Sequence, residues 1–356
     1  MRCYNAPMPA IVSKLLRLTL CTLLALGVVA VRAEIVSDVY RARVPVDDRR
    51  ASTLDRARSD GLVQVVVKAS GDTQAAENEA ILAAAKKASR FLRSYGFEES
   101  ESGLVALLDY DEAALRELLV QAGLPLWTAN RPRVLAWVVI HDGDGRHFAS
   151  ASETPLIHAA LQQSFQLRGL PLQLPLLDLE DAARISPGEA WRQSSGALLR
   201  ASERYGEVEL LAGRVATLSD GRWVGEWRLL DNGRWVVSSV DAASLDAFAE
   251  QGAALAADLY AGRYAVAPRD QGDERLRITL RGIHSFAHYR SACEAIRGLE
   301  SVQRVVPEHV LGDEVSLRVH ADADQVQLAK ILELDHRFVA TDDDSVQAGL
   351  RYEYIP

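Results

Sequence analysis

The stretch Arg168-Gly-Leu-Pro-Leu-Gln-Leu-Pro-Leu-Leu-Asp-Leu-Glu-Asp181 decides how this chain is read. Gly169 is placed to end a helix, and Leu170, Leu172, Leu174 and Leu176 alternate with Pro171, Gln173 and Pro175 as a strand does. Proline cannot donate a ladder hydrogen bond, so an edge strand, or prolines at strand ends, is expected. The elements before this strand and the hairpins after it are then expected to pack around it. Asp178, Glu180 and Asp181 stand at its carboxyl end, where α/β sheets commonly place ligands. Such carboxylates can bind a divalent cation or share acid/base work. They can equally cap the helix that follows, whose first turn favours acidic residues. Arg204 and Tyr205, at the end of the next helical stretch, are placed to meet this cluster, either as a structural ion pair or as part of a ligand-binding site.

Working back from there, Thr154-Pro155 opens a helix with Thr as N-cap and Pro at its first position, and Ile157, Leu161 and Phe165 form its stripe. Residues 131–140 are a nearly continuous apolar run, as expected of a strand buried on both faces. The following His141-Asp-Gly-Asp-Gly-Arg-His147 resembles part of a calcium loop, but the closing glutamate is missing and a polar turn is the simpler reading. Further upstream the sequence predicts a strand at 38–46 and a helix from Arg49 to Lys68, ended by Ser70-Gly71. It also predicts a helix carrying Ile81, Ala85, Ala88, Leu92 and Tyr95 with Gly96 as its cap. A strand at 104–108 and a helix through Leu115 to Ala122, closed by Gly123, complete a small α/β domain.

Working forward, Ser186-Pro-Gly-Glu189 is a capping box opening a helix with Trp191, Leu198 and Leu199. Three strands follow, joined by Ser219-Asp-Gly221 and Asp231-Asn-Gly233, both strong hairpin signals. Trp223, Trp227 and Leu229 share one face of the second strand: a core face, or a platform for stacking sugars. A helix from Asp241 to Tyr260 closes this part, and Arg263–Asp273 reads as a linker. Beyond it the succession β-α-β-β-α-β suggests a ferredoxin-like sandwich. Its inward Leu276, Ile278, Leu280, Val315, Leu317 and Val319 leave Arg275, Arg277, Arg281, Arg318 and His320 outward. That basic sheet face would receive an acidic partner or an envelope polymer, or simply meet the acidic middle domain. The residues at 350–355 add a last strand.

The amino terminus reads as a secretory signal. Arg2, Lys14 and Arg17 precede an apolar core of about fourteen residues, Leu18 to Val31, and Val31-Arg32-Ala33 marks a cleavage site. A lipoprotein site at Cys21 is the rival. The core is shorter than the ~18–20 residues of a membrane span, so cleavage is expected rather than a stable transmembrane anchor. Removing residues 1–33 takes away four positive charges and no negative ones, so the net charge of -9 becomes -13. A chain this anionic is a poor general binder of nucleic acid. Of three cysteines only Cys293 would remain, so no intrachain disulfide is expected; its helical spacing with Tyr289 and Ile296 predicts a buried thiol.

The expected architecture is therefore a mixed α+β and α/β, exported, multi-domain chain. It comprises a signal peptide at 1–33, a small N-terminal α/β domain at 34–130, a middle three-layer α/β domain with an antiparallel meander at 131–266, and a ferredoxin-like domain at 274–356.

Several segments resemble a bacterial family defined as a domain of unknown function, DUF2066. They are Val39-Tyr-Arg-Ala-Arg-Val-Pro-Val46, Arg131-Pro-Arg-Val-Leu-Ala-Trp137, Arg168 through Asp181, Arg200-Ala-Ser-Glu-Arg-Tyr205 with Leu211-Ala-Gly-Arg214, and the Trp223–Trp227 hairpin. More loosely, the element order of the middle domain resembles the amino-terminal domains of TolB and the curli protein CsgG. The resemblance implies envelope assembly work and carries no catalytic residue with it.

No Gly-rich phosphate loop, His/Cys metal spacing or Gly-x-Ser-x-Gly turn is present, so no catalytic residue, no cofactor and no metal are assigned. The leading expectation is a non-catalytic periplasmic protein that binds envelope proteins. A small-molecule or cation-binding protein using the Asp178–Asp181 end of the middle sheet comes second, and a carboxylate-dependent hydrolase last.

Overall fold

A computed structural model describes residues 36, 38–100, 103–206, 208–267, 274–341 and 349–356. The expected signal peptide, most of the expected linker and Asp342–Asp344 lie outside the described residues. What is described belongs to one compact unit beginning at Ala33, built from three sheets.

The first sheet has the order β1-β3-β2, all antiparallel, from β1 (Arg41–Val46), β2 (Leu92–Ser100) and β3 (Gly103–Tyr110). Ala42, Val44, Ala106, Leu108 and Tyr110 turn one face towards α1 (Ala51–Ser70) and form a core with Leu62, Val65 and Val66. The helices α2 (Glu79–Ala85) and α3 (Glu112–Gln121) complete it. Asn78 and Asp111 cap them: the Asn78 amide oxygen accepts the Ala80 and Ile81 N–H groups, and the Asp111 carboxylate accepts the Ala114 N–H. The expected helix through Tyr95 is not formed: α2 stops at Ala85, and Tyr95 and Gly96 pair in β2 with Leu108 and Leu107. Without β2 one edge of β3 would be left unpaired, and the aromatic Tyr95 and Phe97 suit a strand better than a helix.

The second sheet is organised by β4 (Val134–Asp142), not by the proline-flanked strand. β6 (Leu172–Gln173) pairs in parallel with only Val134 and Leu135 at the edge of β4, because Pro171 and Pro175 have no N–H to extend the ladder. Further along that edge β5 (Gly145–Phe148) takes over as the hairpin partner, so the acidic turn at 142–145 is a polar hairpin tip. On its other edge β4 pairs in parallel with β7 (Glu209–Thr217), followed antiparallel by β8 (Trp223–Asp231) and β9 (Arg234–Ala242). The Asp231-Asn-Gly turn is the expected hairpin, with φ 47° at Asn232 and 75° at Gly233.

β4 is buried on both faces, as its continuous apolar run required. Val134, Ala136, Val138 and Ile140 meet α4 (Pro155–Arg168) and α8 (Leu245–Tyr264), while Leu135, Trp137 and Val139 meet the short helices α5 (Leu179–Arg184), α6 (Pro187–Trp191) and α7 (Ser195–Ser202). Three local expectations are corrected. Thr154 makes no side-chain cap on α4; its hydroxyl accepts from the Ser150 N–H instead. The helix opened by the Ser186/Glu189 capping box breaks in two at Gln193, whose φ is 51°. β9 runs to Ala242, so the last helix begins later, capped by Ser244. Trp227 is a core residue: its ring stacks on Phe248 at 4.5 Å and its Nε1 donates to the Phe248 carbonyl.

The third sheet keeps the β-α-β-β-α-β succession with β10 (Glu274–Arg281), α9 (Phe286–Arg297), β11 (Val302–Leu311), β12 (Glu314–Ala321), α10 (Gln325–Glu333) and β13 (Phe338–Ala340). The tail adds β14 (Leu350–Tyr354) inside the sheet rather than at its rim, giving the order β11-β12-β10-β14-β13. β14 runs parallel to β10 and antiparallel to β13. Cys293 is buried in this core, and burial raises its thiol pKa. No described helix is long and apolar enough to cross a membrane.

Candidate functional site

The five residues singled out at the end of the middle sheet do come together. Asp178 is the N-cap of α5, its Oδ1 accepting from the N–H groups of Glu180 and Asp181. The Arg204 guanidinium grips the same carboxylate with both nitrogens, at 2.6 and 3.0 Å, and reaches Asp181 Oδ1 at 3.1 Å and Glu180 at 3.6 Å. Arg204 and the backbone N–H of Asp181 hold the Asp178 carboxyl down at about 2. Asp181, almost fully buried, receives the Tyr205 hydroxyl on Oδ2 at 2.5 Å and the Leu177 N–H on the same oxygen at 2.8 Å. Burial, then the hydrogen bond to Asp181, pushes the Tyr205 phenol up to about 12. The Tyr205 oxygen also accepts the Leu176 N–H at 2.9 Å.

Each carboxylate oxygen of Asp178 and Asp181 is thus occupied by a guanidinium, a phenol or an amide. The cluster acts as a clasp: it fixes the turn after β6, where Leu177 takes φ 55°, onto the end of α7. Arg204 crosses to it because Tyr205 is anchored edge-on to Trp137, whose Nε1 donates to Ser202. Among the described residues no group of His, Cys, Asp and Glu side chains is placed to hold a metal ion. Beside the clasp lies a groove of about 760 Å³, lined by Asp181 and Leu177 on one side and His147, His158 and Gln162 on the other.

The basic sheet face is corrected by its own carboxylates. Arg277 and Arg318 both pair with Glu308, and Arg281 pairs with Glu314 at 3.1 Å. These glutamates belong to β11 and β12, whose alternation places them among the arginines. His320 is half-buried opposite Arg275 and Arg304, and the side chain of Arg275 is outside the described residues. The helix layer of this part packs on the middle part of the chain, through α10 beside α8 and through Asn130 Nδ2 donating to the Ile331 carbonyl.

The residue with the most demanding environment was missed. Arg131 is 1% exposed and donates to five carbonyls: Thr128, Trp127, Lys68, Arg168 and Gly169. Three of these close the carboxyl ends of α1 and α4, where carbonyls lack helical partners and a cation is favourable. Its guanidinium also lies 4.1 Å from the centre of the Trp127 ring. Burial pushes it down to about 9, so it stays charged at neutral pH. Gly71 and Gly169, legible as helix ends, were half of the signal; that both ends converge on one arginine needs tertiary structure.

The family described as "Domain of unknown function (DUF8605)" matches residues 33–128. It is a different domain from DUF2066, so the expected DUF2066 membership is overturned. Among curated proteins no sequence matches this chain. The chain is similar to the matched family over its first sheet and the helices packed on it.

Proposed function

We propose that this protein is a non-catalytic binding or assembly factor of the bacterial envelope, exported to the periplasm. The observation that carries the non-catalytic reading is the clasp. The carboxylates with the best claim to chemistry have every oxygen committed to Arg204, Tyr205 and backbone N–H groups. A general base or cation site needs a carboxylate turned towards substrate or ion, whereas Arg204 neutralises both of these and Asp181 is buried. The amino-terminal signal pattern supports export. Fractionation with a tag at the carboxyl terminus, followed by cross-linking and purification from the envelope fraction, tests both parts. The expected result is a periplasmic protein that recovers the same envelope proteins repeatedly; retention inside the inner membrane with no such partners would sink the reading.

A second reading, a small-molecule binder, is favoured by the groove beside Asp181. Its apolar wall (Leu174, Leu176, Ile185) and polar wall (His147, His158) have the mixed character of ligand clefts. A ligand-dependent rise in melting temperature that survives Asp178→Asn but not His158→Ala would support it.

A further inference from the structure

A second cleft, of about 840 Å³, opens between the exposed face of the first sheet and α4. Clefts of roughly 300–1,000 Å³ between packed layers are common ligand sites. Its cationic groups each have a partner. Arg43 pairs with Glu98 at 3.0 Å, Arg41 faces Asp109 at 3.8 Å, and Lys68 Nζ donates to the Asp38 and Arg41 carbonyls. Its amides are not engaged: the side chains of Gln64, Gln162, Gln163 and Gln166 make no hydrogen bond among the described residues. The last three are exposed on α4, with Gln166 one turn on from both Gln162 and Gln163. Opposite them the sheet offers half-buried Val105 and Leu107, and Gly96, where even a Cβ would have open space.

We propose that this cleft binds a neutral polyhydroxylated ligand, an oligosaccharide. A hydroxyl both donates and accepts, and so does an amide, whereas a free arginine or aspartate would select for charge. Half-buried Val105 and Leu107 across from exposed amides suit a sugar ring, which has hydroxyls at its rim and C–H groups on its face. This goes beyond the function proposed above and does not rest on it, since the cleft shares neither the clasp nor any protein partner.

The full chain, applied to an array of immobilised oligosaccharides, is expected to retain one class of glycan. Titration calorimetry with the soluble form of that glycan should then show affinity falling at least tenfold in Gln163→Ala/Gln166→Ala. Gln74→Ala, exposed elsewhere, should leave it unchanged, and matching melting curves show that both variants fold. An array that retains no glycan, or binding indifferent to the double variant, overturns the proposal. So does a peptide array, probed in parallel, that binds through the same glutamines while the glycans do not.

Discussion

Two glycines with nearly the same backbone separate local strain from packing. Gly169 (φ +66°) and Gly123 (φ +68°) both end helices in the left-handed region, where a side chain costs ~1–2 kcal/mol. A Cβ on Gly169 would lie 2.4 Å from Arg131 Nη1 and 2.5 Å from Lys68 Cγ, while one on Gly123 would meet nothing within 4 Å. Gly123→Ala is therefore expected to lose about 1 kcal/mol in urea unfolding, and Gly169→Ala about 1–3 kcal/mol more, the usual range for an overpacked site. Equal losses would show that the Arg131 joint yields freely. The clasp makes a separate prediction in acid. Asp178 is held at about 2, below the unfolded carboxylate near 3.9, so its contribution is present above that unfolded value and is lost as pH falls towards 2. Arg204→Ala removes this part of the acid limb and also takes the guanidinium from Asp181 Oδ1, leaving that buried carboxylate only Tyr205 and the Leu177 N–H, so a lower melting temperature at neutral pH is expected as well. Melting temperatures from pH 2 to 5, compared between the two proteins, read both effects.

At the scale of elements, β14 carries more than its five residues suggest. It pairs with β10 on one side and β13 on the other, and Tyr352 and Tyr354 sit buried in the core of the third sheet. Truncation after Ala340 would leave β10 with an open edge and β13 without any partner. The expected outcome is loss of amide protection across β10 and β13 in hydrogen exchange, with the middle sheet retaining its own. The sequence showed that a strand at 350–355 was present but not where it went, because period-2 patterning fixes a face and not a neighbour. The same limit explains the misplaced centre. Residues 131–140 announced a strand buried on both faces, whereas 170–176 announced alternation, yet Pro171 and Pro175 shorten the second to a two-residue pairing. Helix ends at Gly71, Gly123 and Gly169 were legible because a left-handed cap is local chemistry. Ala88, Leu92 and Tyr95 repeat at four and three as a helix does, but β2 begins at Leu92 and takes the last two into a strand. The clasp was legible as residues: the carboxylates and Arg204-Tyr205 were each singled out. That they neutralise one another required the fold, as did Glu308 among the arginines of the third sheet.

At the scale of the whole molecule, the third sheet is held to the first by a half-buried carboxylate. Glu300, between α9 and β11, accepts the Tyr40 hydroxyl and the Ala129 N–H at 3.0 Å each, and Arg116 of α3 stands 3.7 Å away. Burial raises its pKa; the Ala129 N–H, Arg116 and Tyr40 oppose the rise without cancelling it, and Glu112 adds to it. A carboxyl raised above its unfolded value binds its proton more tightly in the native state. Its contribution is complete below the ordinary glutamate range near 4.3 and declines as pH climbs through the raised folded value. Glu209, half-buried and accepting the Tyr260 hydroxyl, is raised for the same principal reason and slopes the same way, so the difference from a variant, not the wild-type profile, assigns the effect. Glu300→Gln keeps the shape and an acceptor for Ala129 but does not titrate. The stability of the wild type minus that of Glu300→Gln, from urea unfolding at intervals between pH 4 and 8, is therefore expected to fall as pH rises. A flat difference would mean that the carboxylate is solvated in the native state and that the third sheet is held by α10 against α8 instead; a rising one would mean that Arg116 dominates its environment.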